Sequence, residues 1–404
     1  MRSPPLRCPR AAYAILAAAL PVHIALALGT DLSPDEAYYL AAARTPGALP
    51  PLVDHPPLLP WLLRLSDLLG TLGAPIELRV RLWPIIFSTA TSAACVELAR
   101  RRGADAEGCI LAALVSSFAL LPMTGGFVAT PDGPALLAVT LALLALGRAL
   151  TLGGAALAAA ALLLGALAKV VVLPIALLLA TYATTVEAPS ARRPSLEHLA
   201  ARALLALAPL LALPLLLPSL RFQLHHAFRQ GAPLGWSVLG AIGALLGAVT
   251  AQALLWSPLV LGRGFRTLGR LPRAERAVAL GLTTLVLLSA LARAVPPEPN
   301  WWAPAALVLL VAASSAGSST SRARSATVLS VLLPTAIAVA HTLVPFLPLT
   351  PAADPTARLH GWSRGEAPIG AAGIGPYGVA AERCVYHGDC SKIESYFQQM
   401  RLND

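Results

Sequence analysis

The chain has 404 residues, of which 56% are hydrophobic and only 12% charged, and its mean hydropathy is +0.69. Soluble domains carry about 25% charged residues, so a water-soluble globule is excluded and an all-α polytopic membrane protein is expected. The formal net charge of +10 needs no nucleic acid, because the arginines fall in alternate connections between apolar runs, the pattern that keeps short basic loops in the cytoplasm.

Runs able to cross a hydrocarbon core about 30 Å thick are predicted at roughly 11–28, 80–98, 108–124, 133–150, 155–168, 170–186, 199–219, 237–261, 277–294, 303–317 and 326–347, about eleven spans. Arg2, Arg7 and Arg10 precede the first, which is expected to stay as an uncleaved span. Arg100–Arg102, Arg192 with Arg193, the group from Arg263 to Arg276, and Arg322 with Arg324 mark the cytoplasmic turns. Asp31, Asp35, Glu36, Asp54, Asp67, Glu77, Asp132 and Glu298 fall on the opposite side. Two regions result: a membrane domain at 1–347 with a long first outer loop at 29–79, and a tail at 348–404 too short to bury much core alone. Cys384 and Cys390 lie in that tail, where an oxidising compartment permits a disulfide; their spacing is equally compatible with two free thiols.

Chemistry concentrates on the outer side. In "LSPDEAYYLAAAR" (32–44), Ser33 is placed to cap a helix, Pro34 suits the first helical position, and Ser33-x-x-Glu36 has capping-box spacing. Asp35 then sits on a fixed first turn, as an aimed general base would; the plainer reading is that both carboxylates complement a helix dipole. "VATPDGPALLAVTL" (128–141) repeats the arrangement with Asp132. In "VDHPPLLPWLLRL" (53–65), two prolines push His55 into extended backbone ahead of a helix starting near Leu58 that lies in the interface. Asp54 and His55 are thereby held at headgroup depth, to bind a phosphate or ligate a divalent ion. Arg79 and Arg81 open the second span. Lys169, one of two lysines in the chain, interrupts an apolar run, where an ionisable group is costly and a functional candidate, or else snorkels to the surface. Arg221, His225, His226 and Arg229 add cations on another outer loop. "PPEPNWWAPAAL" (296–307) offers Asn300, Trp301 and Trp302, as an interfacial belt or a sugar-stacking surface.

Taken in order, "PDEAYYLAAAR", "DHPPLLPWL", "TPDGPALL", "LAKVVVLP", "FQLHH" and "PNWWAPA" resemble the family-39 glycosyltransferases of GT-C architecture, the protein O-mannosyltransferase-like group that includes aminoarabinose transferases. The stretch "DPTARLHGW" resembles their region after the last span. The resemblance implies a GT-C bundle in a bacterial inner membrane, with the N-terminus cytoplasmic and the tail periplasmic. It implies a polyprenyl-phosphate sugar donor, a hydroxyl acceptor, and inversion at the anomeric carbon. Asp35 becomes the catalytic carboxylate, with Glu36 and Asp132 shaping the acidic site. His55, Arg81 and Lys169 become donor-phosphate cations, and Arg221, His225, Asn300 and Trp301 substrate contacts. Asp54 and His55 are the candidate ligands of a divalent metal ion. His55 stands where the aminoarabinose transferases carry lysine. The rival expectations are a multi-span transporter and an inactive lipid-binding relative.

Overall fold

Apolar runs with few charges fold as helices because hydrocarbon offers no partner for backbone N–H and C=O groups. The computed structural model describes residues 9–47, 49–50, 54–146, 151–183, 196–222, 236–317, 320–366, 368, 370 and 374–402, and among them it has helices and no strands. The helices are α1 (Arg10–Gly29), α2 (Pro34–Arg44), α3 (Leu58–Asp67), α4 (Ile76–Arg101), α5 (Ala106–Phe118), α6 (Leu120–Gly125), α7 (Asp132–Leu146), α8 (Leu152–Ala168) and α9 (Val172–Ala183). They continue with α10 (Leu196–Leu211), α11 (Leu213–Phe222), α12 (Val238–Trp256), α13 (Pro258–Thr267), α14 (Arg273–Arg293), α15 (Ala303–Ser314), α16 (Ser321–Leu343), α17 (Pro376–His387) and α18 (Ser391–Leu402).

Each predicted span has a helix or helix pair, yet α1, α4, α12, α14 and α16 alone are long and apolar enough to cross a membrane unaided. α10 and α11 are long and apolar enough to cross a membrane only as a pair and meet at a bend of 48°; Pro214, the second residue of α11, lacks the N–H that would continue α10. The remaining apolar helices are shorter; α5 is largely buried, whereas α8 and α9 also turn leucines such as Leu157, Leu164 and Leu177 outward. Every residue of α15 is buried, which is why it is apolar all round. Before it, the chain does not simply turn over at the end of α14. Ala294 abuts Gly240 and Pro296 abuts Gly247, and the Pro299 carbonyl accepts the Gln252 amide at 2.9 Å. The segment therefore runs down α12 by about 18 Å at 1.5 Å per residue before α15 begins.

The arginine-rich connections gather at one end of the bundle, where Arg100 and Arg101 hold Glu97, Arg102 meets Glu275 and Arg324 meets Glu107. At the opposite, acidic end lie α2, α3 and the tail. The capping box forms as expected: Ser33 Oγ accepts from Glu36 N at 3.4 Å and Glu36 Oε2 from Ser33 N at 2.8 Å. α3 starts at Leu58, directly after Pro56–Pro57, and Arg64 on it satisfies the carbonyls of Ala43, Thr45 and Gly47 at the end of α2.

The tail does not stand apart. α17 and α18 share a core with α2, in which Leu40 and Ala37 pack with Ala381, Ile393 and Phe397. Cys384 and Cys390 are bridged. Gly378 is required where it is, since a Cβ there would come within 2.7 Å of Pro34 Cβ.

Candidate active site

The acidic end is organised by one ion pair out of reach of solvent. Glu36 and Arg81 are both fully buried, and their groups meet side-on: Arg81 Nε to Oε1 at 3.0 Å, Nη2 to Oε2 at 2.9 Å. The rest of the guanidinium binds the carbonyls of Ala27 and Thr30, the Thr30 hydroxyl and the Asp31 carbonyl. Glu36 Oε1 also accepts the Ala129 amide at 2.9 Å. One pair thus ties the end of α1, the start of α2, α4 and the loop leading into α7. This corrects the expectation for Arg81. Its five N–H groups are all directed at protein acceptors, so it is no donor-phosphate ligand; position in the sequence placed it near the site without revealing the carboxylate 45 residues away. Glu36 likewise shapes the site by holding backbone and does not face it.

The neighbouring carboxylates are the ones left to act. Asp35, on the same first turn, has a side chain 38% exposed. Its Oδ2 receives Arg358 Nη2 at 2.5 Å and its Oδ1 receives the Tyr377 hydroxyl at 3.3 Å. Asp132 begins α7, with Lys169 Nζ 2.6 Å from Oδ1 and Asn300 Nδ2 2.9 Å from Oδ2. Lys169 follows the last residue of α8 in extended backbone, which turns its ammonium toward α7; among the described residues it makes this one hydrogen bond, and an ammonium has three N–H groups to offer. Asp54 accepts the Tyr38 hydroxyl at 3.1 Å.

Tyr39 links these groups. Burial, then the charges of Asp54, Asp35 and Asp132, raise its pKa well above the usual phenol value, so all three carboxylates lie near enough for their charge to act on its hydroxyl. His55 stands edge-on to that ring, 5.8 Å between centroids. The structure therefore brings Asp35, Asp54, His55, Asp132, Lys169 and Asn300 to one region. Trp301, next to Asn300, donates its indole N–H to Glu298 at 3.2 Å. Arg221 is exposed near the end of α11, and His225 lies outside the described residues.

As metal ligands, Asp54 and His55 supply two donors. Among the described residues no three His, Cys, Asp or Glu side chains are grouped to hold an ion, and no step is assigned to a metal.

Sequence reasoning did not single out Tyr38, Tyr39, Arg358, Tyr377 or Glu382. The two tyrosines and Arg358 stand inside motifs that had been noted; Tyr377 and Glu382 carry no local signal. Glu382, on α17, is 1% exposed, and among the described residues neither of its oxygens has a hydrogen-bond partner. Burial, together with the charges of Glu36 and Asp31, pushes its pKa up to about 10. The folded state therefore keeps this proton between pH ~4.5 and ~10 while the unfolded chain releases it, so stability falls as pH rises through that window. Glu382→Gln, which cannot ionise, is expected to be more stable than the parent by about 3 kcal/mol at pH 7, at 1.36 kcal/mol per pH unit. The gain should vanish below pH ~4.5. Thermal unfolding in detergent across pH 4–9 measures it, and a pH-independent difference would contradict it.

Residues 54–220 match the family model of the dolichyl-phosphate-mannose-protein mannosyltransferases. Across 96% of this chain the fold is similar to ArnT from Cupriavidus metallidurans, solved in the apo state and bound to undecaprenyl phosphate. Both comparisons give a TM-score of 0.57 at 16% identity, and cover 74% and 72% of the ArnT chain respectively. The chain has the GT-C fold. This GT-C bundle also aligns with the archaeal oligosaccharyltransferase AglB from Archaeoglobus fulgidus, in complex with an inhibitory peptide and a dolichol-phosphate, at 14% identity and a TM-score of 0.48 over 89% of this chain and 58% of that one. No curated protein matches the sequence. The resemblance read from the ordered motifs is thus supported by a family model and by a fold, and the GT-C elements that carry Asp35 and Asp132 are the ones that the motifs named.

Proposed function

We propose that the protein is an inverting glycosyltransferase of the bacterial inner membrane, moving a sugar from a polyprenyl-phosphate donor to an acceptor hydroxyl at the periplasmic face. The observation that carries this reading is the arrangement around Tyr39: a half-exposed carboxylate, Asp35, on the same patch as an ammonium, Lys169, and an imidazole, His55, at the acidic end of a GT-C bundle. The acidic end is read as periplasmic because the arginine-rich turns cluster at the other. The family match to dolichyl-phosphate-mannose-dependent enzymes and the fold shared with ArnT, which has been solved with undecaprenyl phosphate, support a lipid-phosphate donor.

The chemistry follows from the groups present. Asp35 takes the proton of the acceptor hydroxyl, and the oxygen attacks the anomeric carbon on the face opposite the phosphate. The bond from that carbon to the phosphate oxygen breaks, the phosphate leaves with the electron pair, and the configuration inverts. Lys169 and His55 stabilise the charge that grows on the phosphate, as fixed cations in a water-poor site do best. Asp132 and Asn300 hold Lys169 and offer hydrogen bonds to sugar hydroxyls, with Trp301 as a stacking face.

The reading is tested with purified protein in liposomes and a panel of polyprenyl-phosphate hexoses and pentoses. Release of polyprenyl phosphate with glycosylation of an envelope acceptor is the expected result. Translocation of a solute with no such release would replace the reading with a transporter, and binding of the carrier without turnover would replace it with a lipid-binding relative.

A further inference from the structure

The segment carrying Asp35 is gripped by the C-terminal tail from two sides. Asp31 N donates to the Leu359 carbonyl at 2.9 Å, and Leu32 N donates to the Tyr386 hydroxyl at 2.8 Å, which in turn donates to Glu77 at 2.9 Å. Gly378 lets α17 lie against Pro34 more closely than any side chain would allow. Among the described residues, the side-chain hydrogen bonds to the Asp35 carboxylate come from this tail: Arg358 on Oδ2 and Tyr377 on Oδ1.

We propose that the tail is a working part of the active site, with Arg358 and Tyr377 as positioning residues for the Asp35 carboxylate. The inference rests on the reading of Asp35 as the base. A carboxylate that is 38% exposed on a short side chain would otherwise rotate. Tethered through both oxygens it presents one orientation, and each oxygen keeps a lone pair for an acceptor hydroxyl. Both tethers are donors at any working pH, since arginine stays protonated, and burial with the Asp35 charge raises the Tyr377 hydroxyl above its usual range.

A comparison with Arg81 separates this role from a structural one. All five Arg81 N–H groups are engaged by protein acceptors that knit backbone segments together. Among the described residues, Arg358 makes one side-chain ion pair, to Asp35, and its buried Nε has no acceptor. A guanidinium used that sparingly is placed for the carboxylate it touches.

The test measures transfer kinetics of the full-length protein in liposomes with a polyprenyl-phosphate sugar donor. Arg358→Ala is expected to lower kcat about 10- to 100-fold, the usual consequence of losing alignment by an ångström or so, with the donor KM within about twofold. Arg358→Lys should recover an intermediate rate, millimolar guanidinium should restore part of the Arg358→Ala rate, and Tyr377→Phe should lose several-fold. Arg364→Ala, an exposed tail arginine, should behave as the parent. Unchanged kcat in Arg358→Ala overturns the proposal. So does a loss that follows the melting temperature and is not answered by guanidinium. If Asp35→Asn is inactive while Arg358→Ala is fully active, the positioning role alone falls. If Asp35→Asn transfers sugar normally, or the parent transfers none, the reading of the site falls and this inference with it.

Discussion

Arg81→Met is expected to destabilise the protein by about 3–5 kcal/mol, the range found when one partner of a buried ion pair is removed. The loss has two parts. Glu36, fully buried, would keep a charge balanced only by the amides of Ser33 and Ala129. The carbonyls of Ala27, Thr30 and Asp31 would lose the guanidinium that now satisfies them. Replacing both partners, in Arg81→Met with Glu36→Leu, should recover part of the stability, because two apolar groups leave no orphaned charge. Activity should fall in all of these variants although the Arg81 N–H groups are spent on protein acceptors, since the pair fixes both the turn bearing Asp35 and the loop leading to Asp132. Thermal unfolding in detergent decides the matter: a melting temperature for Arg81→Met equal to the parent's would show that the pair does not organise the acidic end.

Asp35→Asn should reduce kcat by about 10²- to 10⁴-fold, the usual range for a positioned general base, while the donor KM stays near the parent value. The amide has the same shape but a far weaker affinity for a proton, and it can no longer pair with Arg358 as an ion. Asp132→Asn should behave differently. Its carboxylate is occupied by Lys169 and Asn300, so removing the charge releases the ammonium from its place, and the loss should fall on donor KM as well as on kcat. Initial rates against donor concentration distinguish the two. Equal effects of both substitutions on kcat and KM would mean that the carboxylates share one role, and full transfer by Asp35→Asn would remove the base from the mechanism.

What could be read in advance followed from neighbours along the chain. Hydropathy marked the long helical segments of the bundle but not most of α13, and Ser33-x-x-Glu36 announced the start of α2, because caps and apolar runs are local properties. The prolines after His55 likewise located α3. Length was the weak point: α9 and α15 read as spans from their composition, yet both are short, and α15 is wholly inside the bundle. An apolar run does not say whether it faces lipid or protein. Pairings across long separations were illegible. Glu36 could be seen as a capping residue but not as the partner of Arg81, and Lys169 could be named as a candidate without its bond to Asp132. The tail was least legible of all. Its contribution depends on Tyr377, Glu382 and Gly378, whose meaning comes only from being pressed against α2.

The descent of residues 294–302 along α12 explains how so short a helix as α15 can belong to a membrane bundle. Backbone without α-helical bonding is tolerated at that depth only where protein or a water-filled recess borders it, and here α12 borders it. α15, at 1.5 Å per residue, rises about 18 Å against a hydrocarbon slab of about 30 Å. Neither the descending stretch nor the helix crosses the slab by itself, and joined end to end they do.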